Sequence, residues 1–209
     1  MKLKYLITPI YIFYWHFSIH LESPDIHTWT DDHGDEGPPI RFFWTSPHFY
    51  SCHTCQELED RTMSLKAAFD GAMYIFENMP SNIPLRELII EDIENPFPYQ
   101  NKPTEYDIQV SPFCENHLNA KIPENIEPLK NNVSRAIFLS RFDETVLNIL
   151  KFTGVNGISY FTLYAYIDWM KDCGWKEQRI ADACGWSKAR LNDFTNTANN
   201  PSYLGPLSR

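Results

Sequence analysis

The chain has 209 residues, 43% of them hydrophobic and 22% charged, which fits a folded protein with a buried core and excludes a disordered one. Its formal net charge of −9 excludes a surface that coats nucleic acid uniformly. The charge is uneven, however: residues 1–129 carry 8 Lys+Arg against 20 Asp+Glu, whereas residues 130–209 carry 10 against 7. Such asymmetry predicts two domains with different partners, of which only the second has the sign to meet DNA.

Residues 1–21 are apolar with two early lysines. Pro9, crowded aromatics and the lack of a small-residue cleavage site argue against a secretory signal, and His16, Ser18 and His20 interrupt any membrane span. A cytoplasmic protein without membrane association is expected, in which cysteines serve as thiols or metal ligands. Tyr11–Glu22 reads as a strand, Ser23–Pro39 as an acidic loop, and Ile40–Thr45 as the hairpin partner of the first strand. Ser64–Met79 has the apolar spacing of an amphipathic helix, which Pro80 ends.

Leu85–Ile93 reads as a further strand, although its Glu and Leu content also suits a helix, Tyr106–Val110 as a short strand, and Pro123–Pro128 as the best candidate for a linker. Beyond it the pattern turns helical. Asn132–Phe152 reads as one helix broken by Gly154 and Gly157; Ser159 caps a second that runs through Met170 and is closed by Gly174. No internal repeat or low-complexity tract stands out. The expected architecture is α+β: an acidic mixed domain over residues 1–122, a linker over 123–131, and an all-helical domain over 132–209.

The clearest motif is E-Q-R-I-A-D-A-C-G-W-S-K-A-R-L-N-D-F-T-N, Glu177–Asn196. Two short helices packed across a tight turn need apolar residues where they touch, a small residue at closest approach, and often glycine in the turn. With Gly185 at the turn, Ala181 falls at the close approach, and Ile180, Cys184, Trp186, Leu191 and Phe194 at the inward positions. Ser187 is placed to cap the second helix. The segment resembles the helix-turn-helix of phage and bacterial repressors. That resemblance implies a recognition helix, Ser187–Thr195, entering the major groove by its N-terminal end. It also implies roles for individual residues: Lys188 and Arg190 donating to guanine or phosphate, Ser187 to phosphate and Asn192 to adenine, with Lys176 and Arg179 flanking on the backbone. Double-stranded DNA is the implied partner, bound by a homodimer on a two-fold site.

The second signal is a pair of similar knuckles, Cys52-x-x-Cys55 and Cys114-x-x-His117, each after a Ser-Pro and an aromatic residue. Together they offer the four soft or borderline ligands of a closed, structural Zn²⁺ site. A redox reading competes with zinc. A strand at Phe42–Trp44, Cys-x-x-Cys and a helix, in that order, resemble the thioredoxin-like active site, with Cys52 as nucleophile. The four residues also stand as polar or buried positions with no shared role.

No Gly-rich phosphate loop, G-x-S-x-G or H-E-x-x-H occurs, and an enzyme is not expected. The leading expectation is a DNA-binding regulator of the phage or mobile-element type, its acidic N-terminal domain serving dimerisation or partner binding. An alternative is an acidic anti-defence protein that inhibits a basic, nucleic-acid-handling host complex while its helix-turn-helix regulates its own gene. A thioredoxin-like thiol–disulfide protein is the second alternative.

Overall fold

Four short segments pair into one antiparallel sheet: β1 (Lys2–Ile7), β2 (His27–Asp31), β3 (Arg41–Thr45) and β4 (Leu85–Glu91), in the order β2-β3-β1-β4. This is the computed structural model of the chain, and it describes residues 2–7, 23–31, 41–78, 85–91, 105–115, 131–200 and 202. The chain divides into two units, Met1–Val155 and Asn156–Arg209. With the sheet in the first unit and helices in both, the class is α+β.

The sheet is rich in β-branched and aromatic residues, and β1 is a central strand, with Tyr5 opposite both Trp44 of β3 and Leu88 of β4. A strand stands where the sequence reads as acidic loop, because Thr28-Trp29-Thr30 pairs with Phe42–Trp44. Within the described residues β3 pairs with β2 on one side and with β1 on the other, whereas the sequence expects Tyr11–Glu22 as its hairpin partner. Tyr11–Glu22 itself lies outside the described residues. The strand expected at Tyr106–Val110 is absent; those residues run as coil and turn.

A 3-10 turn, Pro47–Ser51, leads into the long helix α1 (Cys55–Glu77). The helix begins nine residues before the apolar pattern announces it, because the cap is upstream. Thr54 Oγ1 accepts from the Glu57 N–H, and the Glu57 carboxylate accepts from the His53 N–H at 2.9 Å, a close variant of the capping box. Asn78, at φ 51°, ends it in the left-handed region.

Asp70 lies buried on α1 with Lys66 on Oδ2, while Oδ1 has no hydrogen-bond partner among the described residues. Burial pushes its carboxyl from 3.8 up to about 6, against the opposing pull of Lys66. Between those values the folded chain holds the proton more firmly than the unfolded one. Stability from this group therefore falls as pH rises from about 4 to 6 and is level above. Asp70→Asn should remove about 3 kcal/mol of that dependence. Urea titrations of both proteins between pH 4 and 7 decide it, and parallel slopes would refute the assignment.

The helical run after 131 is two helices, α2 (Asn132–Leu139) and α3 (Glu144–Asn156), not one. Ser140 Oγ donates back to the Ile137 carbonyl at 2.7 Å, and Asp143 Oδ1 accepts from the Thr145 N–H at 2.9 Å, starting the second helix. Gly154 does not break α3. It is the point where α3 meets Gly71 of α1: a Cβ on Gly154 would lie 1.9 Å from the Ala67 carbonyl oxygen.

Val133, Ile137, Leu147 and Leu150 share one core with Leu58, Leu65 and Phe69 of α1. That packing places residues 132–155 in the first unit, so the boundary falls after Val155 rather than within 123–131; of that expected linker only Asn131 lies among the described residues.

A buried polar network ties the first unit together. Asp25 Oδ1 accepts from His48 Nε2 at 2.8 Å and from the Arg141 guanidinium, all three side chains being 1% exposed or less. His48 Nδ1 accepts from the Cys114 N–H at 3.1 Å, which places the ring proton on Nε2, facing Asp25. Nearby, the Val110 carbonyl accepts from Ser64 Oγ at 2.6 Å and from the buried Lys151 Nζ at 3.2 Å, fastening residues 105–115 to α1 and α3.

The second unit contains α4 (Tyr160–Asp172), α5 (Glu177–Ala183) and α6 (Lys188–Ala198). Ser159 caps α4 by accepting from the Thr162 N–H. Ile167, Ile180, Ala181 and Leu191 form its core, with Met170, Trp175, Trp186 and Phe194 packed on the margin. Among the described residues no helix is long and apolar enough to cross a membrane.

Candidate nucleic-acid interface

The segment with the repressor-like pattern folds as α5, a tight turn and α6. Gly185, at φ +66°, makes the turn, a backbone conformation that side-chain-bearing residues resist. Two hydrogen bonds close it: the Gly185 N–H to the Asp182 carbonyl at 3.1 Å and the Trp186 N–H to the Ala181 carbonyl at 2.8 Å. These are the paired bonds of a Schellman motif. Ser187 caps α6 through a hydrogen bond from the Arg190 N–H.

Of the positions expected to face inward, Ile180 and Ala181 are fully buried, Leu191 is 1% exposed, and Trp186 and Phe194 are half-buried. Cys184 departs from the expectation and is exposed. It is the C-cap of α5, and the turn brings Trp186 back over the core instead.

All six residues singled out for nucleic acid, Lys176, Arg179, Ser187, Lys188, Arg190 and Asn192, are exposed. Their surroundings differ. Lys188 Nζ lies 3.5 Å from the Glu177 carboxylate, which also faces Lys171 at 3.8 Å. Arg179 and Arg190 instead lie over indole rings, Arg179 3.9 Å from the Trp175 centroid and Arg190 5.3 Å from that of Trp186. Neither arginine, nor Lys176, has an acidic partner among the described residues. Asp182 is held by Gln178 at 2.8 Å.

The cysteine–histidine set lies in the first unit. Cys52 is the buried C-cap of the 3-10 turn, Cys55 is the first residue of α1, and Cys114 is buried; His117 lies outside the described residues. Among the described residues no group of three or more His, Cys, Asp and Glu is placed to hold a metal. Burial pushes the Cys52 thiol up to about 11 and raises Cys55 as well. Both thiols thus favour the protonated form, the reverse of a reactive thiolate. Cys114 lines an open groove of about 800 Å³ with Ser51, His53, Asp60, Arg61 and Glu115, a wall of mixed charge.

Composition and spacing point to none of the Asp25–His48–Arg141 network, whose members carry no local pattern. No protein-family model matches the chain, and no curated protein or solved structure matches it.

Proposed function

We propose that residues 156–209 form a helix-turn-helix module that binds double-stranded DNA, within a dimeric regulatory protein of the phage or mobile-element type. The observation that carries this reading is the state of the cations. In the first unit Arg61, Lys66 and Arg141 are each paired with a carboxylate. Lys176, Arg179 and Arg190 stand exposed around α5 and α6 with no acidic partner among the described residues. Exposed, unneutralised cations at the starts of two short helices fit a polyanion whose charges are regularly spaced.

The second unit carries only 6 Lys+Arg against 5 Asp+Glu, so one copy would hold DNA weakly. Two copies on half-sites about 34 Å apart would add their contacts. The acidic remainder of the chain then supplies dimerisation or partner binding.

A gel shift of the full chain against its own upstream region and against random duplex tests this. Lys176→Ala/Arg190→Ala should weaken binding roughly tenfold or more and lower the salt slope by about 2. Absence of any shift at low salt sinks the proposal.

A second reading rests on the 22 Asp+Glu against 12 Lys+Arg of residues 1–155. Such an acidic unit would occupy the DNA site of a basic protein complex. It requires the full chain to displace duplex DNA from such a complex better than a polyanion of equal charge.

A further inference from the structure

The second unit holds the same eight-residue pattern twice, offset by eleven residues. Cys173-Gly174-Trp175-Lys176-Glu177-Gln178-Arg179-Ile180 and Cys184-Gly185-Trp186-Ser187-Lys188-Ala189-Arg190-Leu191 both read C-G-W-x-x-x-R followed by an aliphatic residue. The two copies also fold alike. Gly174 has φ +81° and Gly185 φ +66°. In each copy the glycine N–H bonds three residues back, to Lys171 or Asp182, at 2.8 and 3.1 Å. In each the tryptophan N–H reaches five residues back, to Met170 or Ala181, at 3.0 and 2.8 Å. The aliphatic residue that follows is buried, Ile180 at 0% and Leu191 at 1% exposure. Each arginine lies over its own copy's indole.

We infer that the two copies are equivalent phosphate grips, in which Trp175 and Trp186 are positioning residues that hold Arg179 and Arg190 ready for two phosphates of one duplex. This rests on the DNA-binding reading above. A free arginine loses considerable rotamer freedom when it seats on an anion. Laid over an indole, the guanidinium is already restrained, and a planar guanidinium keeps its N–H donors in its plane, away from the ring face it contacts. The backbone bond to each tryptophan fixes the platform. Two devices built alike suit a feature the ligand itself repeats, and in a duplex that feature is the phosphate backbone, whereas base edges differ from step to step.

The test is fluorescence anisotropy of the full chain on several unrelated duplexes across a salt series. Arg179→Ala and Arg190→Ala should each lower the salt slope by about 1, equally on every duplex. Trp175→Phe and Trp186→Phe, which keep the apolar contact with the core, should weaken binding about twofold to fivefold with the slope unchanged. Arg179→Lys and Arg190→Lys, which keep the charge and lose the planar guanidinium, should behave like the tryptophan variants. An unchanged slope in the alanine variants, or a loss confined to one duplex sequence, overturns the grips while leaving DNA binding standing. Failure of the parent chain to bind any duplex at low salt overturns the DNA-binding reading itself. Because Arg179 and Arg190 are exposed, their substitution leaves the fold intact, and a melting curve for each variant checks this.

Discussion

Gly71→Ala should destabilise the first unit by about 3 kcal/mol or more, although alanine is ordinarily the better helix former by about 1 kcal/mol. The added methyl would stand 1.8 Å from the Leu150 carbonyl oxygen, and one on Gly154 would stand 1.9 Å from that of Ala67. Both obstacles are backbone inside a helix, so no side chain can swing aside; α1 and α3 must separate. Separation opens the core to which Ala68 of α1 and Leu150 of α3 both belong. Gly154→Ala should cost a similar amount. The double variant should cost less than the two together, because the first methyl already drives the helices apart. Urea or thermal unfolding of the three variants measures this, and a neutral or stabilised Gly71→Ala would contradict the close crossing.

Asp25→Ala should cost about 3–5 kcal/mol, the range for breaking a buried ion pair by removing one member. Arg141 is 1% exposed and has Asp25 as its paired carboxylate, while His48 Nε2 loses its acceptor in the same step. If uncompensated charge is the cause, Arg141→Met in the Asp25→Ala background should restore a substantial part of the loss. Denaturant titrations of the single and double variants give the comparison. A single-variant cost below about 1 kcal/mol would place the pair among weak surface bridges.

Much of the second unit is legible in its sequence because its decisive signals are local. Ser159 and Ser187 cap the helices they precede, and Gly174 and Gly185 sit where the chain must turn through positive φ. The first unit is legible only in pieces. Gly154 reads as a helix breaker because propensity sees an isolated helix, whereas contact with α1 decides its place. Helix α1 is detected only from Ser64 because its first turns carry the capping signal in Thr54 and Glu57 rather than an apolar stripe. Asp25, His48 and Arg141 are individually ordinary polar residues, and their partnership is written in no spacing. The tandem pattern at Cys173 and Cys184 does not stand out as a repeat, because only C, G, W and R recur within eight residues; its equivalence rests on the matched turns and on the arginines over their indoles.

The His48 network also sets an order of events during folding. Its bonds close stretches of 23 residues to Asp25 and 66 to Cys114, and the Asp25–Arg141 bond spans 116. Bringing such distant points together costs chain entropy before any contact returns it, so this closure belongs to a late, slow step. In the second unit the core lies between Ile167 and Phe194, and its contacts form over short separations in rapid local steps. On a ribosome the first unit cannot complete its network until Arg141 has emerged, by which time the three short helices are next in line. The first unit, although made before the second, therefore finishes folding close in time to it.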